Sequence, residues 1–281
     1  MRRSFGSLHA VVAALAARVV DAAIALLPRP RRAFGIELLD SPDVDADTRL
    51  RALSDVARAN AYFGGTRAVA REIVRILDAS SARTITLVDV GTGTGDIARR
   101  AATVARERGV RLTSIGIDIS PDVARSAHAS GTLAVCGDAL SLPFADRSVD
   151  VVVCSQLLHH FRDHDVVRLL RELHRVARLG VIVSDLRRSW IAAGGFWVAT
   201  FPLRFHPVSR HDGVVSILRA FTAGELARLV RTAVGEPHAV RRVLGFRLAV
   251  SWAPTRFACY ARFRRSRHLQ SDRKRRRVGA A

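Results

Sequence analysis

Hydrophobic residues along the middle of the chain recur with two alternating periods. Short runs rich in β-branched residues predict strands, and the stretches between them, with apolar residues three and four positions apart, predict helices. Strands that alternate with helices indicate an α/β fold with a doubly wound, mostly parallel sheet. Seven strands are predicted, at residues 84–90, 111–118, 133–136, 149–154, 181–185, 238–244 and 247–252.

Capping residues set the expected ends of the helices between these strands. Ser120 followed by Pro121 is a typical helix start, and Gly109, Gly131 and Gly180 each follow a helical pattern that they are expected to end. The predicted helices of this region are 96–108, 121–130 and 165–178.

Two further regions are expected to cover the sheet. Helical patterns at 47–61 and 66–78 predict an N-terminal helical cap over residues 33–80. The sheet domain itself is expected to span 81–255, with an aromatic- and arginine-rich stretch, 186–221, inserted as a lid after the fifth strand. Thr222 and Glu225 have capping-box spacing and predict a helix that runs to about residue 232.

The first 32 residues form a separate segment with an amphipathic pattern. Residues 8–27 place Val12, Leu15 and Ile24 on one helical face, and Arg18 and Asp21 interrupt any continuous membrane span. Two interpretations of this helix stay open. It either lies in a membrane surface or packs on the body of the protein.

Charge is the unusual feature of the composition. Hydrophobic residues at 49% and charged residues at 25% exclude global disorder, but 45 basic against 25 acidic residues give a net charge of +20. Such an excess points to nucleic acid or anionic lipid. Residues 1–32 carry +5 and residues 262–277 carry +8, so most of the excess lies in the N-terminal segment and in a basic tail, 256–281. We therefore expect no nucleic-acid partner.

The cysteines indicate the compartment. Cys136, Cys154 and Cys259 are odd in number and widely spaced, without a CxxC pair or a metal-binding pattern. They predict reduced, buried thiols and a cytoplasmic protein without a bound metal.

A glycine-rich turn follows the first predicted strand. Residues 88–96 read VDVGTGTGD, so the glycines have GxGxG spacing and an acidic residue, Asp89, precedes them. A dinucleotide-binding GxGxxG turn would need its third glycine at Asp96, and a phosphate-binding Walker loop would need Lys followed by Ser or Thr. Asp118 ends the second strand, where a carboxylate can accept hydrogen bonds from ribose hydroxyls.

From about residue 83 to 185 the sequence resembles the class I S-adenosylmethionine-dependent methyltransferases. The glycine turn, GID at 116–118, GDA at 137–139, LPF at 142–144 and SVDVV at 148–152 follow the order of a subgroup that includes ubiquinone and menaquinone methyltransferases. The resemblance implies S-adenosylmethionine as cofactor, with Asp118 at the ribose, Asp138 at the adenine amine and Ile119 against the adenine face. The implied cofactor-binding residues are Asp89, Gly91, Thr92, Gly93, Gly95, Asp118, Ile119, Asp138, Ala139 and Ser155.

Methyl transfer to a hydroxyl requires alignment of the acceptor, exclusion of water and removal of a proton. His159 and His160 follow the fourth strand, and His211 lies in the predicted lid beside Asp212, so these three histidines are the candidate bases. Each of them is also open to a purely structural interpretation.

The predicted lid and cap also resemble bacterial methyltransferases associated with polyketide-type phenolic products. Aromatic residues of the lid, among them Trp190, Phe196 and Phe205, could form lid core or an acceptor pocket. We expect methyl transfer to a hydroxyl of a small aromatic, polyketide-like or quinone-like acceptor, as in secondary metabolism. Carbon methylation of a quinol, methylation of RNA through the basic tail, and cofactor binding without catalysis are the alternatives.

Overall fold

The computed structural model describes residues 30–41 and 43–254. The predicted amphipathic helix 8–27, the basic tail 256–281 and Cys259 lie outside these residues. Within them, one seven-stranded sheet forms the centre of the molecule, as the strand pattern predicts. The strands are β1 (Thr84–Val90), β2 (Arg111–Asp118), β3 (Leu133–Cys136), β4 (Val149–Ser155), β5 (Ala177–Leu186), β6 (Arg241–Val243) and β7 (Arg247–Trp252).

The order of strands across the sheet is β3-β2-β1-β4-β5-β7-β6. The first five strands are parallel, and β7 pairs antiparallel with both β5 and β6. The chain moves outward from β1 to β3 and then returns to place β4 on the other side of β1. Where the strand order of a parallel sheet reverses in this way, a crevice opens at the carboxyl ends of the strands. Ligands of such sheets bind in this crevice.

Helices cover both faces of the sheet because its strands are apolar on both sides. Leu87, Val151 and Ile182 face one layer, and the alternate residues Val88 and Val152 face the other. None of the helices in the described part of the chain is long and apolar enough to cross a bilayer. The helices are α1 (Ala46–Tyr62), α2 (Gly65–Ala79), α3 (Asp96–Arg106), α4 (Pro121–Ala129), α5 (Asp163–Val176), α6 (Trp190–Ala199), α7 (Pro207–Arg219) and α8 (Ala223–Val234).

The capping signals of the sequence are observed at two of these helices. Ser120 accepts a hydrogen bond from the Val123 N–H at the start of α4. Thr222 and Glu225 form the predicted capping box at the start of α8. Both pairs satisfy backbone N–H groups that have no partner inside the helix.

The predicted boundary between α5 and β5 is wrong. The helical pattern predicted a helix to residue 178 and a strand from 181, but α5 ends at Val176 and β5 begins at Ala177. Arg178 donates to Asp150 of β4 at 2.8 Å, which favours an extended chain here. Gly180 does not end the helix but lies within β5, where a Cβ would come within 2.6 Å of Ile76 Cδ1 on α2.

The prediction of buried cysteines is correct for Cys154 and wrong for Cys136. Cys154 lies in β4 at the centre of the sheet. Cys136 is exposed because β3 is an edge strand with little of its surface covered.

Three buried carboxylates connect the N-terminal elements to α7. Asp55 of α1 accepts hydrogen bonds from the His206 N–H at 2.7 Å and the Ser209 hydroxyl at 2.9 Å. Glu37 accepts from the Ser216 hydroxyl at 2.8 Å. Asp212 completes the set, since it accepts from the Leu38 and Leu39 N–H groups at 2.7 and 2.9 Å.

We expect the substitution Asp55→Ala to lower the free energy of unfolding by about 2 to 4 kcal/mol, because it leaves the buried Ser209 hydroxyl of α7 and the His206 N–H just before this helix without a partner. Urea unfolding followed by circular dichroism measures this. Asp47→Ala is the matched control, since it removes an exposed carboxylate that pairs with Arg51 on the same helix, and its effect should stay within about 1 kcal/mol. Equal effects of the two substitutions would contradict this role of Asp55.

Candidate active site

A glycine turn joins β1 to α3 at the crevice. Gly91, Gly93 and Gly95 have φ values of 73°, 54° and 75°, in the region that favours glycine. A Cβ built on Gly93 would meet no atom within 4 Å. Open space therefore lies over this glycine, and a ligand can come close to the backbone.

The end of β2 lies directly beside this turn. Asp118 accepts hydrogen bonds from the Gly93 N–H at 3.2 Å and the Ser120 N–H at 3.1 Å. Burial raises the pKa of Asp118 above its ordinary value. Ile119 follows with 74% of its surface exposed. The two residues together give this side of the crevice a carboxylate and an uncovered apolar side chain.

The turn after β3 and the end of β4 complete the cleft. The Gly137 N–H donates to the carbonyl of Asp118 at 2.9 Å, which places Asp138 and Ala139 against the end of β2. Asp138 is exposed, and its carboxylate accepts from the Leu140 N–H at 2.8 Å. Ser155 is buried at the end of β4, and its hydroxyl has no partner among the described residues.

Asp89 is the most deeply buried carboxylate of the cleft. It accepts a hydrogen bond from the Thr92 hydroxyl at 3.0 Å. Burial, helped by the charges of Asp96 and Asp118, raises the pKa of Asp89 to about 7, against the opposing hydrogen bond of Thr92. The carboxyl group therefore titrates near neutral pH instead of near pH 4.

A cavity of about 300 Å³ lies beyond the ends of β4 and β5. Its walls come from the segment 30–41, α1, α6, α7 and the β6–β7 turn. This volume is in the range of small-molecule sites. Most of the wall is apolar, and it includes Val56, Phe63, Ile191, Phe196, Phe205 and Ile217.

Asn60 of α1 joins the cleft to the cavity. Its side-chain amide donates to Asp96, the first residue of α3, at 3.4 Å. Its carbonyl oxygen accepts from the side chain of Gln156, which lines the cavity. The side chain of Asn60 thus lies between the cleft beside α3 and the cavity.

His159 lines the cavity and is held by a buried carboxylate. Its Nδ1 lies 2.7 Å from the carboxylate of Asp185, near the end of β5. This carboxylate also accepts hydrogen bonds from the backbone N–H groups of His159 and Leu186. Burial raises the pKa of Asp185, but the charge and hydrogen bond of His159 outweigh it, so this pKa lies below its ordinary value. An ionised carboxylate only accepts, so Nδ1 of His159 carries a proton.

His160 lies beside His159, with 4.5 Å between the ring centroids, but in different surroundings. Its two ring nitrogens are 3.8 Å from Glu37 and from Asp40. Burial lowers the pKa of His160, yet Asp40 and Glu37 outweigh that effect and the pKa lies above its ordinary value. His160 therefore holds its proton more firmly and is the weaker candidate for a base near neutral pH.

His211 is not among the described residues that line the cavity. Its ring pairs with Asp212 at 2.8 Å, and about half of its side chain is exposed. The structure thus brings His159 and His160 together at the cavity and leaves His211 at its outer side.

The aromatic residues of the predicted lid, 186–221, divide between the cavity and the surface. Phe196 and Phe205 line the cavity, and their rings pack edge to face with centroids 6.2 Å apart. Trp190, Trp197 and Phe201 are about half exposed. The two phenylalanines are therefore the aromatic residues of this stretch that face the cavity.

Comparison with known proteins agrees with this geometry. The family described as a methyltransferase domain matches residues 88–184. An uncharacterized methyltransferase of Mycobacterium bovis is 31% identical over 180 residues, which cover 57% of this chain and 69% of that protein. The chain belongs to the class I S-adenosylmethionine-dependent methyltransferase family.

Two further proteins are similar to this chain. The plantazolicin methyltransferase BpumL, solved in complex with SAH, has the same fold, with a TM-score of 0.51 and 14% identity over 68% of this chain and 70% of that chain. The demethylmenaquinone methyltransferase of Roseiflexus sp. (strain RS-1) is 32% identical over 125 residues, 39% of this chain and 47% of that protein. The chain spans about half the length of the demethylmenaquinone methyltransferases that it matches.

The cofactor of this family is S-adenosylmethionine, and three observations show that the cleft of this methyltransferase fits it. Open space lies over Gly93, the carboxylate of Asp118 lies beside that space, and the hydroxyl of Ser155 is buried without a partner. Backbone that can be approached closely, a carboxylate for hydroxyl groups and an unpaired polar atom are what a nucleoside ligand needs.

Three residues of this site are absent from the sequence-based prediction. Asp185 ends a predicted strand, so the rule that marks Asp118 could have found it. Glu37 lies between predicted elements, and Arg247 is one of 45 basic residues. No local pattern marks either of them, since only the folded chain brings them to the cavity.

We expect Asp89→Asn to change how stability depends on pH. Folded Asp89 keeps its proton up to about pH 7, whereas an unfolded aspartate loses it near pH 4, so the stability that the proton contributes is lost as pH rises through 7. The gain in unfolding free energy of Asp89→Asn over wild type should therefore be larger at pH 8 than at pH 5, by on the order of 2 kcal/mol.

Urea unfolding at pH 5 and pH 8 measures this difference. Asp122→Asn, which removes an exposed carboxylate at the start of α4, is the matched control and should follow the wild-type profile. An Asp89→Asn profile parallel to wild type would show that Asp89 is ionised throughout.

Proposed function

We propose that this methyltransferase transfers a methyl group from S-adenosylmethionine to a hydroxyl of a small aromatic, polyketide-like or quinone-like acceptor. The observation that carries the proposal is the buried His159–Asp185 pair at the wall of an apolar cavity. A hydroxyl is a weak nucleophile until it loses its proton, and this pair provides an acceptor for that proton.

The cleft residues would bind the cofactor, which when bound supplies an electrophilic methyl group on a sulfonium. The carboxylate of Asp118 would accept the ribose hydroxyls, and Asp138 would accept the adenine amine. Ile119 would pack on the adenine face, and its exposed side chain supports this role. The remaining residues of the proposed cofactor site are Asp89, Gly91, Thr92, Gly93, Gly95, Ala139 and Ser155.

His159 would act as the general base through Nε2. Asp185 fixes Nδ1 as the protonated nitrogen and compensates the positive charge that forms when Nε2 takes the acceptor proton. Glu37 lies 4.0 Å from Nε2 and adds a second carboxylate beside the protonated ring.

The cavity supports an aromatic acceptor. Phe196 packs edge to face on both Phe63 and Phe205, with ring centroids 5.8 Å and 6.2 Å apart, respectively. A further aromatic ring fits such a surface by the same contacts. The apolar walls also exclude water, which protects the methyl group from hydrolysis and aligns the hydroxyl by confinement.

The similarity to demethylmenaquinone methyltransferases favours a second candidate, carbon methylation of a quinol. Loss of a hydroxyl proton also makes the neighbouring ring carbon of a quinol nucleophilic. The same base would therefore serve both reactions, and the position of the acceptor in the cavity would decide between them.

The test is methyl transfer from isotopically labelled S-adenosylmethionine to a panel of phenols, polyphenolic ketones and quinols. His159→Asn should lower kcat by roughly 10²- to 10⁴-fold, the range for loss of a general base, with little change in the affinity for S-adenosylhomocysteine. Asp185→Asn should lower kcat as well, because its amide no longer fixes the tautomer. His164→Asn, at an exposed position on α5, is the matched control and should retain wild-type turnover.

The outcomes separate the parts of the proposal. Wild type that binds S-adenosylhomocysteine in calorimetry but methylates no member of the panel contradicts the acceptor class. Full kcat in His159→Asn contradicts the base. A product that loses its label on ether cleavage is an O-methyl product, and a product that keeps it is a C-methyl product, which favours the quinol alternative.

A further inference from the structure

Arg247 is a buried cation at the junction of the cavity and the cofactor cleft. It begins β7, pairs with Leu186 of β5 and is only 2% exposed. Its guanidinium lines the cavity and packs against the start of α2, where a Cβ on Gly65 would lie 3.2 Å from its Cζ. The same Cβ would lie 2.5 Å from Oδ1 of Asn60, the residue that joins cavity and cleft.

The guanidinium of Arg247 has no hydrogen-bond acceptor in the described part of the chain. Its Nε and Nη1 are both buried without a partner. Two other buried arginines also leave Nε without a partner, but both of their Nη groups are paired. Arg188 donates to the carbonyl of Ala220 and to Glu225. Arg219 donates to Glu37 and to the carbonyl of His160.

Arg247 nevertheless remains charged at neutral pH. Burial lowers the pKa of Arg247 to about 10, and the charges of Asp185 and Asp96 oppose this effect from a distance. A buried cation with unpaired N–H groups is costly to a folded protein. Such a group is typical of a site where a ligand supplies the missing acceptor.

We propose that Arg247 binds a carboxylate, either the amino-acid carboxylate of the cofactor or a carboxylate on the acceptor. The planar guanidinium matches a carboxylate in shape and charge. The position allows both sources, because Arg247 lines the cavity and lies against Gly65, as does Asn60, which links the cavity to the cleft. The acceptor source rests on the proposed function, whereas the cofactor source does not.

The first arm of the test compares two cofactor probes by titration calorimetry. S-adenosylhomocysteine carries the amino-acid carboxylate, and 5′-methylthioadenosine keeps the nucleoside and sulfur but lacks it. If the cofactor is the source, Arg247→Met should weaken S-adenosylhomocysteine roughly 10- to 100-fold and leave 5′-methylthioadenosine unchanged. Arg247→Lys should recover part of the loss. Arg242→Met, an exposed position on the same hairpin, is the matched control and should bind both probes as wild type does.

The second arm tests the acceptor as the source. Protein saturated with S-adenosylhomocysteine is titrated with salicylate and with its neutral analogue, salicylamide. If the acceptor carries the carboxylate, wild type should prefer salicylate, Arg247→Met should lose that preference, and the affinity for S-adenosylhomocysteine should not change.

Thermal unfolding without ligand separates a binding role from a structural one. Removal of an unpaired buried charge should leave the midpoint of Arg247→Met equal to that of wild type or raise it. A lower midpoint together with equal losses for S-adenosylhomocysteine and 5′-methylthioadenosine would overturn the proposal, as would unchanged binding in both arms. Neither result depends on turnover, so the general base at His159 is tested separately.

Discussion

A carboxylate that is buried away from water needs hydrogen-bond donors from the protein. Three buried carboxylates set the shape of the cavity in this way. Glu37, Asp55 and Asp212 are all buried, and each accepts at least one hydrogen bond from a segment more than 150 residues away in sequence. Separation of the segment 30–41 or of α1 from α7 would leave buried polar groups on both sides with fewer hydrogen-bond partners, which costs free energy. The segment 30–41 and α1 are therefore held against α7 by hydrogen bonds whose loss would destabilise the protein.

Glu37 also ties this framework to the chemistry. Its carboxylate is fixed by Ser216 and Arg219 on α7, and it lies within 4.0 Å of a ring nitrogen of both His159 and His160. Asp185 approaches His159 from the other side, at the end of the sheet. The proposed base is thus positioned by one acid from the sheet and one from the N-terminal segment, so its environment depends on the closed arrangement of both.

The sequence predicts the sheet and the cleft because both follow local rules. Alternating apolar residues mark the strands, and Asp118 and the glycine turn lie where parallel strands end. The cavity does not follow from local rules, since Glu37 and Arg247 act through contacts with distant segments. The same reason explains the misplaced start of β5, because the pairing of Arg178 with Asp150 on the neighbouring strand overrides a helical pattern.

The proposed acceptor cavity and the cofactor cleft are formed by different parts of the sequence but lie side by side in the fold. The family match covers residues 88–184, which contain the cleft, whereas α1, α6 and α7 lie outside it and wall the cavity. Under the proposed function, substitutions in these walls would change the acceptor without disturbing the cleft. Asn60 connects the two sites, because its side chain forms hydrogen bonds with both Asp96 beside the cleft and Gln156 at the cavity. Residues around Asn60, including Arg247, are consequently where substitutions should affect cofactor and acceptor together.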